Sequence, residues 1–389
     1  MRIAMVVPGG VDRSGERRVV PSLLWLIERL AAGGGDQVTV FAMTQEARPG
    51  RWPLLGADIV NIGARPRLPR ALLALAGEHR RAPFDIVHGF WAGGSGLAAA
   101  IFSACSGVPM VLSLAGSEIT GLADIGYGNQ LTLAGRVTAR LAMMLADKLV
   151  VQSDWVARRA ASFGAPTITI PYGVAIDRWA PSPPRRRTAE APLRLLHVAN
   201  LNPVKDQETL LMAMWALREL GVAFHLDIVG LDTMGGAIQR RCAELRLDDK
   251  VAFHGPMPHA AQRPWFESAD LLVMSSRHEG GPLVMLEAAL LGVPTVGTAV
   301  GHIADWAPRA AVAVPLQDPG ALAGAIARVA ADEEERLRLA AAARQEAEAH
   351  DADLTARRTR ELYEEVRTVR GERCQPPGGR RRCAPRPIR

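Results

Sequence analysis

The sequence predicts an α/β protein made of two doubly wound domains that face each other across a cleft. Three observations carry this. Short continuous Val/Ile/Leu runs alternate with helical stretches, the pattern of a parallel sheet covered on both faces. The composition breaks once, at a proline- and arginine-rich stretch over residues 181–192, and the same alternation then starts again. With 389 residues, 48% of them apolar, the chain is long enough for two or three domains of roughly 150 residues each, and wholesale disorder is excluded.

In the N-terminal domain, residues 1–180, strands are expected at Ile3–Val7, Val38–Ala42, Asp58–Ile62, Asp85–His88, Met110–Leu114, Lys148–Gln152 and Thr167–Pro171. Helical patterns lie between them at Ser22–Ala31, Pro69–His79 and Leu133–Leu145. The uncharged stretch Gly94–Ser117 is long enough to question as a membrane span. Gly96, Gly107 and Pro109 make it read as helix, turn and buried strand. Residues 181–192, Pro181-Ser182-Pro183-Pro184-Arg185-Arg186-Arg187 onward, lack periodicity and read as a linker. The second domain, residues 193–350, has strands at Leu193–Ala199, His225–Val229, Val251–His254, Leu271–Met274, Thr295–Gly297 and Ala311–Val314. Its helices fall near Asp206–Leu220, Ala237–Leu245, Ala260–Ser268 and Leu283–Leu291. From Pro319 to Val369 the chain is helical, and residues 351–370 are expected to return to the first domain. Residues 371–389 are expected to form a disordered basic tail.

The formal charge of +6 sits mostly in that tail, where six arginines face one glutamate. The body is nearly neutral, so no nucleic-acid partner is expected. Four scattered cysteines with no zinc spacing, and an N-terminal apolar run too short for a signal peptide, point to a reduced, cytoplasmic protein.

Open α/β sheets bind ligands beyond the carboxyl ends of their strands. The segment Ser275-Ser276-Arg277-His278-Glu279-Gly280-Gly281-Pro282-Leu283-Val284-Met285-Leu286-Glu287 follows such a strand. Glu287 is the only ionisable residue from Gly280 through Gly301, and a carboxylate in apolar surroundings is costly unless it is bonded or solvated in a cleft. Gly280 and Gly281 let backbone approach a ligand, and the N–H groups of the next helix offer an anion site with Pro282 in its first turn. From the residues alone, a surface Glu279 and a helix-start Glu287 that answers the macrodipole remain an open alternative.

Two glutamates with seven residues between them, followed by Ala288 and Gly292-Val293-Pro294, resemble the signature of the retaining glycosyltransferases of family 4. Other stretches are similar to that family in the expected order. Gly9-Gly10 resembles its acceptor-side loop, and Ile170-Pro171-Tyr172-Gly173-Val174, with Asp177 nearby, the end of its first domain. Asn200-Leu201-Asn202-Pro203-Val204-Lys205-Asp206 resembles its diphosphate loop, and Val251-Ala252-Phe253-His254-Gly255 its nucleoside-binding strand end. The resemblance covers about residues 1–369. It implies a GT-B fold of two Rossmann-like domains and transfer of a sugar, with retention, from a UDP- or GDP-sugar donor to a glycan, lipid-linked or small-molecule acceptor. It implies no cofactor, and allows peripheral contact with a membrane. Asn200, Gly255, Gly280, Gly281, Leu283, Val284 and Glu287 would hold the donor, Glu287 through the ribose hydroxyls. Glu279 would face the sugar, and Lys205 would meet the leaving diphosphate. Lys205 also has independent support, because it precedes a helix whose positive dipole end disfavours a cation unless an anion is near. No carboxylate cluster with metal-ligand spacing accompanies these residues, and none is expected to be needed.

Two positions depart from the family. Asn200 stands near where an arginine is common. Leu114-Ala115-Gly116-Ser117-Glu118 carries Ala115 where His-Gly is common, which makes His88, at the end of Asp85-Ile86-Val87-His88, the substitute candidate for a catalytic histidine; a structural histidine remains its alternative. The loop Gly9–Arg18 lacks the dinucleotide fingerprint. It brings Arg13, Arg17 and Arg18 toward the acceptor side, where an anionic acceptor or a merely solvated cluster would suit it. A catalytically weak nucleotide-sugar-binding subunit, or an epimerase or hydrolase on the same fold, are the competing functions.

Overall fold

In a computed structural model that describes residues 1–33, 35–188 and 190–373, the apolar runs become two sheets. Those of the first are β1 (Arg2–Val7), β2 (Gln37–Ala42), β3 (Gly50–Leu54), β4 (Ala57–Asn61), β5 (Ile86–Phe90), β6 (Met110–Ser113), β7 (Lys148–Val151) and β8 (Thr167–Thr169). Their spatial order is β3-β4-β2-β1-β5-β6-β7-β8. The second sheet uses β9 (Leu193–Val198), β10 (Phe224–Val229), β11 (Val251–Gly255), β12 (Leu271–Met274), β13 (Thr295–Thr298) and β14 (Ala311–Val314), in the order β11-β10-β9-β12-β13-β14. Every pair in the second sheet is parallel. Each sheet grows outward in both directions from its first strand, which creates a switch point between β1 and β5 and another between β9 and β12.

One strand was not expected. β3 pairs antiparallel with β4 at the edge of the first sheet, and its exposed Pro53 hid it in the sequence. An edge strand tolerates a proline because half of its N–H groups need no ladder partner. The uncharged stretch resolves into the helix Gly94–Ser106, a left-handed turn at Gly107 and β6. Among the described residues no helix is long and apolar enough to cross a membrane. The helix expected at Ala260–Ser268 is split into a 3₁₀ turn, His259–Gln262, and a short α-helix, Arg263–Ser268.

The chain divides into two compact units. The first holds residues Met1–Gln152 and Ala157–Ile170, together with the final helix from Asp353 on. Leu362, Tyr363 and Val366 of that helix, Ala352–Arg373, are buried in one core with Ile3, Met5, Ile27 and Leu30. Ion pairs frame the contact: Arg360 meets Asp36 at 2.9 Å, and Lys148 meets Glu365 at 2.7 Å. Burial raises the Asp36 pKa, but hydrogen bonds from the N-terminal ammonium and Arg360 outweigh it and hold the carboxyl below its usual range.

The second unit, Ser153–Val156 and Pro171–Ala352, starts ten residues before the expected linker. Residues 171–180 belong to it because Trp179 is buried there, edge-on to Phe266 at 5.7 Å. Nor is the proline-rich stretch a loose connector. Ser182 N–H donates to the Leu290 carbonyl at 2.8 Å, and Arg185 pairs with the buried Asp270 at 2.9 Å. Arg336, 2% exposed, pairs with Glu333 and donates to the Arg185 carbonyl. The core of this unit lies between Leu195, Leu226, Leu271 and Val296 of the sheet and the helices Gln207–Glu219 and Pro319–Ala331. The tail expected beyond residue 370 falls, from residue 374 on, outside the described residues.

If the final helix is part of the first core, Tyr363→Ala should lower the stability of that unit by about 3–5 kcal/mol, the range for a deleted buried aromatic. Tyr363→Phe, which leaves the ring and removes a buried hydrogen bond, should cost about 1–2 kcal/mol. Urea titration followed by circular dichroism measures both, and no loss in Tyr363→Ala would place the helix outside the core.

Candidate functional site

Strand order decides which loops meet. The loops after β9 and β12 flank the switch point of the second sheet, and they carry Lys205 and Glu279. Their side chains touch: Lys205 Nζ lies 2.6 Å from Glu279 Oε1, and Ser276 Oγ donates to the same oxygen at 2.6 Å. The backbones are tied as well. Arg277 N–H donates to the Val204 carbonyl, and Ser275 Oγ to the Lys205 carbonyl, each at 2.8 Å. Glu279 is buried, while Lys205 keeps 23% of its side chain exposed. The anion that a cation ahead of the helix Gln207–Glu219 requires is therefore supplied within the chain. Asp206, in the left-handed region at φ 50°, caps that helix by accepting from Thr209 N–H at 3.2 Å. Gly301 makes room for the carboxylate: at φ +52° a Cβ there would stand 3.1 Å from Glu279 Cβ.

His197, beneath the pair on β9, is fully buried. One ring nitrogen bonds the Val273 carbonyl at 2.9 Å and the other meets Gln207 Nε2 at 3.2 Å. Burial drives its pKa down to about 4, with Lys205 adding to the shift and the Val273 carbonyl and Glu279 opposing it.

Glu287, one turn into the helix Leu283–Leu290, is 3% exposed, and its Oε1 lies 2.5 Å from His259 Nε2. The His259 ring lies against Trp179 at 4.8 Å between centroids, and the Trp179 indole donates to the Glu287 carbonyl at 3.1 Å. Pro282 is the N-cap of that helix rather than its first residue, which leaves Leu283 and Val284 as its opening residues. Gly280 accepts from Ser153 Oγ, and Gly281 follows it into the same turn. Gly255 ends β11 at φ +68°, and its carbonyl accepts from Gly230 N–H at 3.0 Å. Asn200 spends its side-chain oxygen on Leu231 N–H at 3.2 Å, so its amide NH₂ is the group left to face a ligand.

His259, Ser276 and Trp179 were missed. Ser276 stood inside the stretch already singled out, next to Ser275 and three residues before Glu279, and a hydroxyl at that spacing from a carboxylate was its signal. His259 lies in a proline-rich run, Pro256-Met257-Pro258, that offers no periodicity to place it. Among the described residues no group of three His, Cys, Asp or Glu side chains is placed to hold a metal ion.

In the first unit two expectations are corrected. His88 is 2% exposed and closed on both sides: Nδ1 bonds Tyr363 Oη at 2.6 Å and Nε2 bonds Ser113 Oγ at 2.8 Å. Its strand runs on to Phe90, so His88 lies inside the sheet rather than at its carboxyl end, and burial takes its pKa to about 3. No ring nitrogen is left for a substrate, and His88 is a core residue. The loop after β1 is also less positive than its arginines imply. Arg13 is gripped by both oxygens of Glu46 at 2.7 and 3.1 Å and lies over Trp52, and Arg18 pairs with Asp12 at 2.7 Å. Gln45 Oε1 accepts from Gly10 N–H at 2.7 Å and shapes the Gly9-Gly10 turn. A Cβ on Gly10, at φ +86°, would come within 2.7 Å of Val20.

Glu118, which no motif flagged for a role, is wholly buried and accepts from Ala92 N–H at 3.0 Å and Ala115 N–H at 3.2 Å. It fastens the chain after β5 to the chain after β6. Burial raises its pKa despite these bonds.

Residues 19–173 match the family model described as a glycosyl transferase 4-like domain, and residues 182–346 the one described as glycosyl transferases group 1. The chain is 28% identical over 311 residues to a D-inositol 3-phosphate glycosyltransferase of Streptomyces avermitilis, covering 73% of this chain and 66% of that protein. A protein of the same description from Nocardioides sp. is 28% identical over 406 residues, or 92% and 87% of the two chains. Among solved structures, sucrose-phosphate synthase from Thermosynechococcus elongatus superposes with a TM-score of 0.81 at 20% identity, over 95% of this chain and 100% of that one. Anabaena Alr3699/HepE, in complex with UDP and glucose, gives 0.73 at 16% identity over 94% and 100%.

The buried histidines make stability depend on pH. His88, His197 and His302 have folded pKa values of about 3, 4 and 4 against 6.5 when unfolded. The unfolded chain therefore binds more protons below pH 6.5, and stability falls as pH drops from there toward 4. Glu118, with its raised pKa, binds its proton more tightly when folded and works in the opposite direction. Urea titrations at descending pH should show net uptake of about two protons on unfolding near pH 5, each about 1.4 kcal/mol per pH unit. A flat profile down to pH 5 would contradict the burial of these rings.

Proposed function

Because the chain belongs to the GT-B glycosyltransferases and is a glycosyltransferase enzyme, we propose that it moves a sugar from a nucleotide-sugar donor to an acceptor hydroxyl. In this reading the anomeric configuration is retained and no divalent metal is required. The observation that carries the reading is the Lys205–Glu279 contact at the switch point of the second sheet. A donor diphosphate settling there meets an ammonium already held by a carboxylate, which Ser276 steadies, on a backbone that Ser275 ties down. As the glycosidic C–O bond breaks, negative charge grows on the leaving diphosphate, and a preorganised cation stabilises that charge without reorganising.

Glu279 then has two duties. Without donor it holds Lys205; with donor it positions the sugar and faces the positive charge developing at the reacting carbon. Glu287, steadied by His259, offers its carboxylate to the ribose hydroxyls, and the N–H groups of Leu283 and Val284 suit a phosphate oxygen. The acceptor falls to the first unit, with the Gly9-Gly10 turn as its nearest candidate. With His88 closed, no side chain among the described residues of that unit stands out as a base. This favours a front-face path in which the acceptor proton passes to a donor phosphate oxygen as the new bond forms. UDP is the first nucleotide to try, since Alr3699/HepE, a neighbour in fold, was solved with it. Relatives described as D-inositol 3-phosphate glycosyltransferases make a polyol phosphate a reasonable first acceptor. Asn200 and Ala115, where the family has charged or proton-donating side chains, favour a second reading, a weakly catalytic nucleotide-sugar-binding subunit.

One assay separates these readings: nucleoside diphosphate release across a donor and acceptor panel in excess EDTA, with NMR of the product's anomeric proton. Retained configuration and full activity in EDTA are expected. Lys205→Ala should lower kcat by about 10²–10³-fold with a smaller change in KM, as for a lost transition-state contact. Equal rates in Lys205→Ala and wild type, an inverted linkage, or rescue by Mg²⁺ would each overturn the mechanism. Binding without turnover would support the subunit reading.

A further inference from the structure

The second unit has a cavity at the opposite edge of its sheet from Lys205 and Glu279. Arg194 and His225 stand side by side in register near the amino ends of β9 and β10, and Asp270 comes just before β12. Together with Arg185 and Arg187 they line a space of about 340 Å³. β9 is six residues long, so about 20 Å of strand separates this space from the loops that carry Lys205 and Glu279. Three arginines line it against one carboxylate. That carboxylate, Asp270, is 2% exposed and already bonded through both oxygens, to Arg185 at 2.9 Å and to Arg194 N–H at 2.9 Å. The Arg194 guanidinium is exposed and, among the described residues, makes no hydrogen bond or ion pair. Arg187 places its terminal nitrogens on the Ala191 and Ala330 carbonyls, each at 3.1 Å, and both partners are neutral. Its Nε is shut off from solvent and has no hydrogen-bond partner among the described residues. The acidic neighbours behind the lining are engaged elsewhere. Glu333 accepts from Arg187 N–H at 2.8 Å but pairs with the Arg336 guanidinium at 2.7 Å, and Asp227, 3.4 Å from His225 Nε2, lies closer to His254 at 2.7 Å.

We propose that this cavity binds a phosphate dianion, free or as the monoester of a small organic molecule, at a site separate from the donor's. Three guanidiniums less one carboxylate leave two positive charges, and a phosphate monoester carries close to two negative ones at neutral pH. Guanidinium forks match phosphate oxygens in pairs, a geometry that a set of lysines would not impose. Thr188 adds a hydroxyl to the same lining. The volume lies within the range of small-molecule sites, and Ala191 and Pro192 give an organic part an apolar wall. A bound dianion would cross-link the stretch that carries Arg185 and Arg187 to the ends of β9 and β10. The inference stands apart from the sugar chemistry, since none of these residues belongs to the donor site.

Titration calorimetry of the full chain with inorganic phosphate and, separately, glycerol 3-phosphate tests it, beside melting curves with the same probes. At least one probe should bind saturably and raise the melting temperature. Tighter binding of glycerol 3-phosphate would assign the site to phosphorylated small molecules, and equal binding would assign it to the phosphate ion itself. Arg194→Glu should weaken this binding on the order of tenfold or more, as for a lost charge-assisted bond. Its melting temperature without ligand should hold, because the exposed guanidinium has no bond to lose. Arg187→Gln should weaken binding as well, at some cost in stability, since two carbonyls lose their donor. Lys205→Gln should bind the probes at this site as wild type does, whatever becomes of the proposed donor chemistry. Saturation by neither probe, binding that survives Arg194→Glu, or binding that is lost in Lys205→Gln would each overturn the proposal.

Discussion

A single ion pair, Lys205 with Glu279, is the contact on which the chemistry proposed for the second unit depends, and it exists because of strand order. The two residues are 74 positions apart, and only the reversal between β9 and β12 sets their loops side by side. Everything around the pair keeps it from drifting. Ser275 and a backbone bond tie one loop to the other, Ser276 steadies the carboxylate within its own loop, Gly301 leaves space for it, and Asp206 starts the next helix immediately after the lysine. A largely buried ion pair adds little net stability, because desolvation offsets much of the attraction. A charge held in one geometry before substrate arrives is worth more to catalysis than to folding.

The first unit depends on a different constraint, the return of the last helix. Tyr363 closes over His88 and Arg360 reaches Asp36, so residues more than 270 apart in sequence complete one core. That closure takes His88 out of any chemistry. The ends of β5 and β6 are fixed by another buried group, Glu118, through the backbone N–H groups of Ala92 and Ala115.

Much of this was legible in the sequence because parallel strands buried on both faces announce themselves as short apolar runs. Leu271–Met274 and Ala311–Val314 were read to the residue, and the glutamate pair and Lys205 stood out through their resemblance to a family signature, Lys205 with added support from the helix it precedes. What stayed hidden was long-range or context-dependent. β3 carries a proline that only an edge position permits. Trp179 looked like the end of one domain and is core in the other, because its indole partner, the Glu287 carbonyl, lies 108 residues away. The arginines after β1 read as an open positive patch, and their neutralisers Glu46 and Asp12 meet them only when Gln45 folds that loop back. Charge counted along a chain is not charge presented in space.

The central claim is that Glu279 holds, in the absence of donor, the same ammonium that the diphosphate takes when it binds. Titration calorimetry of UDP, without sugar, into wild type, Glu279→Gln and Lys205→Gln tests this directly. With Glu279 neutral the lysine is released, so Glu279→Gln should bind UDP as tightly as wild type or several-fold tighter. Lys205→Gln should bind it on the order of tenfold more weakly, as expected for a lost charge-assisted bond. Equal weakening in both variants would mean that the carboxylate itself contacts the nucleotide, and the account of the pair would be wrong.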